Sequence, residues 1–194
     1  VARPLYGRVH IQTQLNATKA SIVHSVLAMA SRIQPEDLFI LYVATHGQIA
    51  DDRYYLFTRE FDGDLRPENS ISSVELMEIS KRVPALKQVL ILDTCQAGGV
   101  DPLVSGLYDA RISVLAKALG MHIFAAANSY QGALDGYKGN GLFTYFLLRG
   151  LEGQADENHD NQVSALEMSL YLSRMVKEAS QGRQEPFVRN FGED

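Results

Sequence analysis

This sequence predicts an α/β fold with a mostly parallel sheet and helices on both of its faces. Three short apolar runs, at 38–44, 89–92 and 122–126, are rich in β-branched and aromatic residues. Such runs are typical of strands that are buried on both faces, as in parallel sheets. Segments with helical spacing of apolar residues alternate with these runs, and that alternation is typical of α/β proteins.

Helix caps and a further strand complete the predicted order of elements. Asn16 or Thr18 can cap a first helix that extends to about residue 33. Ser72 and Glu75 have the spacing of a capping box, which predicts a second helix ending near residue 83. The remaining predicted elements are a short strand at 54–57 and helices at 110–119, 141–151 and 164–178.

Composition narrows the class of protein. The chain has 194 residues, of which 46% are hydrophobic and 21% charged, so we treat 1–194 as one folded domain. A net charge of −5 argues against a nucleic-acid partner. The single cysteine excludes an internal disulfide framework and fits a reducing, cytoplasmic location. The longest apolar run, 38–44, is far shorter than the roughly 20 residues of a membrane span.

The cysteine and one histidine both follow predicted strands. His46 comes two residues after the first apolar run and precedes Gly47, while Cys95 comes shortly after the second run. The carboxyl ends of parallel strands meet at one edge of a sheet, so these side chains can approach each other there. A thiolate beside an imidazole is the arrangement of a thiol protease. By position alone, a small buried cysteine and a structural histidine stay open as the alternative.

The sequence around both residues resembles the caspase-like cysteine peptidases of the bacterial caspase and metacaspase branch. The resemblance rests on Thr-His-Gly at 45–47, on Asp-Thr-Cys-Gln-Ala-Gly at 93–98 and on their separation of about 50 residues. Segments 125–129, 141–145 and 150–167 extend it over nearly the whole chain. It implies a three-layer α/β/α caspase-like fold. It also implies Cys95 as nucleophile, His46 as general acid and base, and the backbone N–H groups of Gly47 and Cys95 as oxyanion donors.

Asp93 is the predicted determinant of substrate choice. Caspases that cut after aspartate carry Gln at this position, two residues before the cysteine, whereas metacaspases carry an Asp that binds a basic P1 side chain. A carboxylate on the floor of the S1 pocket favours Arg or Lys. In the alternative, Asp93 only caps the following turn. Ser129 and Tyr130, beyond the third apolar run, are further candidates for the wall of this pocket.

Residues 156–167 match the spacing of a twelve-residue calcium loop. Glu167 stands at the twelfth place, where a bidentate carboxylate is expected, but Asn161 replaces the usual glycine at the sixth. In the alternative, Glu167 pairs with Ser164 in a capping box. The cysteine–histidine mechanism needs no cofactor. A calcium ion bound at this loop would therefore be an accessory ion and not part of the reaction. The predicted metal ligands are Asp156, Asn158, Asp160, Gln162, Ser164 and Glu167.

The resemblance further implies that a first strand and helix of the domain are missing from this chain. The match begins near 9–13, which is expected to be the second strand of the family's sheet. The resemblance implies that the absent strand lies inside the sheet, next to the histidine strand. Without it, buried backbone groups would lack partners. The expected partners are therefore a protein or peptide substrate and that N-terminal segment, bound in cis or as a processed subunit.

Two functions remain open at this stage. One is an active cysteine endopeptidase, and the other is a catalytically silent caspase-like domain that acts in interaction or as a scaffold. Other enzyme classes lack their motifs. The sequence contains no Gly-x-Ser-x-Gly elbow, no P-loop and no His-Glu-x-x-His zinc pattern.

Overall fold

The computed structural model describes residues 7–51, 53–96, 121–127 and 133–190, except for the side chains of Cys95 and Gln96. The strands of this part are β1 (Leu38–Ala50), β2 (Arg53–Phe57), β3 (Ser70–Ser72), β4 (Lys87–Gln96), β5 (His122–Ala125) and β6 (Phe187–Asn190). The helices are α1 (Lys19–Ala30), α2 (Ser73–Lys81), α3 (Leu142–Arg149) and α4 (Ala165–Ala179), and a π-helical turn, Gly150–Gln154, follows α3.

All six strands form one sheet in the order β3-β2-β1-β4-β5-β6. The central strands β1, β4 and β5 run parallel, whereas β2, β3 and β6 pair antiparallel with their neighbours. The α/β class is confirmed, but the described sheet is mixed rather than mostly parallel. The apolar runs identified only its parallel centre. The connection from β1 to β2 is two residues long, and so short a link permits only antiparallel pairing.

Helices cover the sheet on both faces, which confirms the three-layer prediction. On one face, Leu90 and Leu92 of β4 pack in a core with residues of α1 and α2. On the other face, Ile91 of β4 and Phe124 of β5 pack with residues of α3 and α4. The alternation of side chains along β4 therefore feeds two separate cores, as expected for a central strand.

The prediction that β1 is buried on both faces is wrong. Ile40 is 53% exposed and Tyr42 is 45% exposed, and Ala44 and His46 on the same face are also exposed. The opposite face packs Leu41 and Val43 against the core under α1 and α2. The buried core under α3 and α4 takes residues from β4 and β5 and none from β1. An apolar run indicates that a strand can be buried. Which of its faces is buried depends on where the helices pack.

The predicted helix starts are confirmed. Thr18 caps α1, Ser72 with Glu75 forms the capping box of α2, and Ser164 with Glu167 forms that of α4. The short strands β3 and β6 were not predicted. The strand expected near 9–13 is wrong, since the residues from 7 to 17 have no strand and their side chains bond to α1, as Gln12 does to Ser25 at 3.0 Å. The helix expected at 110–119 lies outside the described residues.

Candidate active site

The parallel register places His46 directly beside Cys95. Both strands extend past their predicted ends, and the pairing of β1 with β4 runs from Leu38 with Lys87 to Gly47 with Gln96. Paired positions on adjacent strands lie about 4.8 Å apart. The structure thus brings the two backbones together at the carboxyl end of the parallel centre. The His46 side chain is exposed, and the side chain of Cys95 lies outside the description.

Two threonines attach this end of the sheet to β2. Thr45, just before His46, donates its hydroxyl to the carbonyl oxygen of Phe57 at 2.8 Å. Thr94, just before Cys95, accepts a hydrogen bond from the Tyr54 hydroxyl at 2.9 Å, and both side chains are buried. Buried polar groups that are satisfied in this way fix their surroundings. The backbones of His46 and Cys95 are therefore held by their neighbours in the chain.

Gly47 permits this arrangement because it leaves room for Tyr54. A Cβ atom at Gly47 would lie 2.7 Å from the carbonyl oxygen of Tyr55 and closer still to the Tyr54 hydroxyl. Any larger residue would displace the tyrosine from Thr94. Gly47 pairs with Leu56 on one side and with Gln96 on the other, so its backbone groups lie within the sheet. Its assignment as an oxyanion donor stays a prediction.

Asp93 occupies a half-buried position two residues before Cys95. It pairs with Ala44 of β1, and its Oδ2 accepts a short hydrogen bond from the Thr144 hydroxyl in the first turn of α3. The Tyr42 hydroxyl lies 2.9 Å from the Thr144 hydroxyl. Burial raises the pKa of the Asp93 carboxyl above its ordinary value, and the negative charge of Asp135 adds to this effect. A cation bound here would lower the cost of ionising Asp93.

The chemistry available at this end of the sheet follows from these placements. An imidazole beside the position of a thiol can deprotonate it and later protonate a leaving amine. A half-buried carboxylate on the adjoining stretch of β4 can hold a cationic group. No local sequence pattern marks the three hydroxyl side chains that support this site, which belong to Tyr42, Tyr54 and Thr144. Ser129 and Tyr130 lie outside the described residues, so their predicted place in the pocket stays a prediction.

The carboxylates of the predicted calcium loop bond to the backbone of the chain. Glu167 accepts from the N–H of Ser164 at 3.0 Å, as the capping-box alternative requires. Asp156 accepts from the N–H of Asn161 at 3.0 Å, and Asp160 accepts from the N–H of Gln162 at 2.8 Å. The described ranges contain no group of three or more His, Cys, Asp or Glu side chains placed to hold a metal. Calcium binding stays a prediction.

Helices long and apolar enough to cross a bilayer are absent from the described parts of the chain.

Comparison with known proteins gives a family and a fold. The family model of the caspase domain, Peptidase_C14, matches residues 6–191. Among solved structures, the chain is similar to protein GSU0716 from Geobacter sulfurreducens, with 15% identity and a TM-score of 0.61 over 92% of this chain and 75% of that one. It is also similar to caspase-1 from Spodoptera frugiperda, with 12% identity and a TM-score of 0.58 over 91% of this chain and 69% of that one. No curated protein matches the sequence.

The raised pKa of Asp93 predicts a pH dependence of stability. Because burial disfavours the ionised form, this group stabilises the fold below its unfolded pKa of about 3.9, and the benefit is lost as the pH rises through the folded pKa. Asp93→Asn removes this cost of ionisation. We expect the gain in unfolding free energy from Asp93→Asn, measured by denaturant titration, to be larger at pH 7 than at pH 4.

Asp62 provides the matched control with the opposite sign. Its hydrogen bond from Arg66 lowers its pKa, so its contribution is present above the unfolded pKa and lost as the pH falls. Asp62→Asn is therefore expected to destabilise the protein at pH 7 and to do so less at pH 4. Asp62→Asn should become less favourable to the unfolding free energy between pH 4 and pH 7. The explanation for Asp93 is wrong if the effect of Asp93→Asn changes in that same direction.

Proposed function

This chain belongs to the caspase domain family, and from that premise we propose that it is a cysteine endopeptidase that cleaves peptide bonds after Lys or Arg. The observation that carries the proposal is the pairing of His46 with Cys95 at the carboxyl end of two parallel strands. Family membership alone fits a silent domain equally well. The pairing supports catalysis, because a cysteine–histidine dyad needs its two residues on adjacent strands at the same level of the sheet.

The proposed reaction proceeds in two steps. The Cys95 thiolate attacks the carbonyl carbon, a C–S bond forms, and the C–N bond breaks as the protonated His46 gives its proton to the leaving amine. Neutral His46 then takes a proton from water, whose oxygen attacks the thioester carbon. The C–S bond breaks, and the acid leaves together with regeneration of the Cys95 thiolate and protonated His46. No third carboxylate is needed. A reducing compartment such as the cytoplasm, proposed here as the location, would keep the thiol available.

Asp93 is the proposed floor of the S1 pocket. It is the carboxylate of β4 nearest in sequence to Cys95, and it is half-buried beside the exposed face of β1. The negative charge of Asp135 acts on the same place. Two negative charges favour a cationic P1 side chain and disfavour aspartate at that position. Specificity for Lys and Arg therefore follows from charge.

Matched fluorogenic peptides that end in Lys, Arg or Asp test this function on the intact protein, with and without Ca²⁺. We expect turnover of the basic peptides, reduced to background in Cys95→Ala. His46→Ala should lower kcat/KM by about a thousandfold, since general acid–base catalysis supplies about 10²–10⁴. Asp93→Asn should lower it by about thirtyfold or more for basic peptides, because removing one partner of a buried charged pair costs about 2–5 kcal/mol.

His24→Ala is the matched control, because His24 is also an exposed histidine but belongs to α1 and not to the strand of His46. It should retain the parent activity. A preference for the Asp peptide would keep the peptidase and contradict the role of Asp93. Absence of turnover under every condition would favour the silent interaction or scaffold domain.

We further propose that β1 pairs with one more strand, from an N-terminal segment in cis or as a processed subunit. β2 pairs with β1 only at Gly47–Ala50. Among the described residues, the preceding stretch from Leu38 to His46 has a partner strand only on its β4 side. An unpaired strand edge offers backbone groups to another strand. This open stretch lies directly beside His46, so the added strand would adjoin the dyad.

Amide hydrogen exchange tests this pairing. When the N-terminal segment is present, every amide of 38–46 is expected to exchange as slowly as those of β4. In the chain of residues 1–194 alone, about half of them should exchange faster, because alternate amides point to the open edge. The amides of β5, which is paired on both sides, serve as the internal control. Identical exchange at 38–46 in both forms would contradict the proposal.

A further inference from the structure

The carboxylate of Asp93 presents its two oxygens unequally. Oδ2 accepts the short hydrogen bond from Thr144. The same oxygen lies against Gly141, at the start of α3, where a Cβ atom would be 3.0 Å from Oδ2 and 3.7 Å from Oδ1. Oδ2 is thus bonded on one side and walled by backbone on another. Oδ1 lies farther from Gly141 than Oδ2 does, and the Thr144 hydroxyl does not bond to it.

Tyr42 and Thr144 form a pair of hydroxyl groups beside the Asp93 carboxylate. The Tyr42 and Thr144 hydroxyl oxygens are 2.9 Å apart. A hydroxyl has one proton, and Thr144 gives its proton to Asp93, so the Tyr42 hydroxyl does not accept from Thr144 and can itself donate. Tyr42 also forms a side-chain hydrogen bond to the Asp93 carboxylate, which acts to lower the pKa of that group. The two donors therefore come from β1 and α3, and the acceptor belongs to β4. Each donor points toward the carboxylate, which holds Asp93 in one orientation.

The surroundings of Asp93 fit a cation as a partner of Oδ1. The N–H of Leu142 bonds to the carbonyl of Leu134 at 2.8 Å, which closes the loop between them. Asp135 is the first residue of this loop and Gly141 is the last. Asp135 therefore lies near the Gly141 backbone, which contacts Asp93. Its charge acts on Asp93. A half-buried carboxylate beside a second one is better satisfied by a positive group than by a neutral one.

We propose that Thr144 and Tyr42 are positioning residues of the S1 pocket, which leave one oxygen of Asp93 for the P1 cation and so allow Lys about as well as Arg. This inference rests on the proposed function. A guanidinium gains over an ammonium on a carboxylate when both oxygens accept from its two-pronged donor. A guanidinium must share Oδ2 with the Thr144 hydroxyl to make that paired contact, so its gain over an ammonium is reduced and both cations bind mainly through Oδ1.

Removal of the Thr144 hydroxyl is the test. The ratio of kcat/KM for the Arg peptide to that for the Lys peptide should lie within about threefold of one in the parent. In Thr144→Val, which keeps the side-chain shape, this ratio should rise about tenfold, the effect of one added charge-assisted hydrogen bond. The Lys peptide should bind Thr144→Val less tightly, because Asp93 is no longer held in one orientation. Its KM should therefore rise. Thr144→Ser keeps the hydroxyl and should restore the parent ratio. Thr144→Ala tests the same loss without a branched side chain.

Controls separate this inference from the function beneath it. Thr13→Val, an exposed threonine before α1, should leave the ratio unchanged. A strong preference of the parent for the Arg peptide would overturn the positioning role and leave the peptidase intact. The same conclusion holds if Thr144→Val and Thr144→Ala are folded and keep the Arg-to-Lys ratio and the KM of the parent. A parent without turnover of basic peptides, or turnover that survives Cys95→Ala, overturns the proposed function and this inference with it. Thermal unfolding of each variant shows whether it is folded.

Discussion

The register between β1 and β4 is the constraint on which the rest of the site depends. Both strands are parallel and adjacent, so a shift of one residue would turn the His46 side chain to the opposite face. The apolar side chains that alternate along β4 oppose such a shift, because Leu90 and Leu92 would exchange places with Ile91 between two cores. Thr45 and Thr94 add specific bonds to β2 at the same level of the sheet. Hydrophobic packing and a few buried hydroxyls thus fix the pairing.

Asp93 shows how the fold keeps a charge-bearing group at a cost to stability. Burial raises its pKa, so its ionised form is disfavoured in the folded protein. The hydrogen bond from Thr144 offsets part of that cost. Strained or costly groups of this kind are concentrated at functional sites. The exposed face of β1, including Tyr42 and His46, leaves the approach to this group open on that side.

The sequence predicted those features of the fold and site that have a local pattern. Buried strands, capped helices and the motifs around His46 and Cys95 are written in neighbouring residues, and they suffice for the α/β class. The bond between Tyr42 and Thr144 joins positions 102 residues apart, and no spacing rule connects them. Tyr54 reaches Thr94 over 40 residues, only because Gly47 leaves room for it. The exposed face of β1 was missed for a related reason, since the placement of α3 and α4 decides it.

The proposed function depends on activation of Cys95 by His46, and the rate of thiol alkylation as a function of pH measures that activation without a peptide substrate. Cys95 is the single cysteine of the chain, so iodoacetamide reports on this thiol without a competing site. In the intact protein we expect rapid alkylation at neutral pH, with a thiol pKa well below the ordinary value of about 8.5. In His46→Gln the pKa should return toward that value. Equal pH profiles for the two proteins, both near the ordinary thiol value, would contradict the dyad.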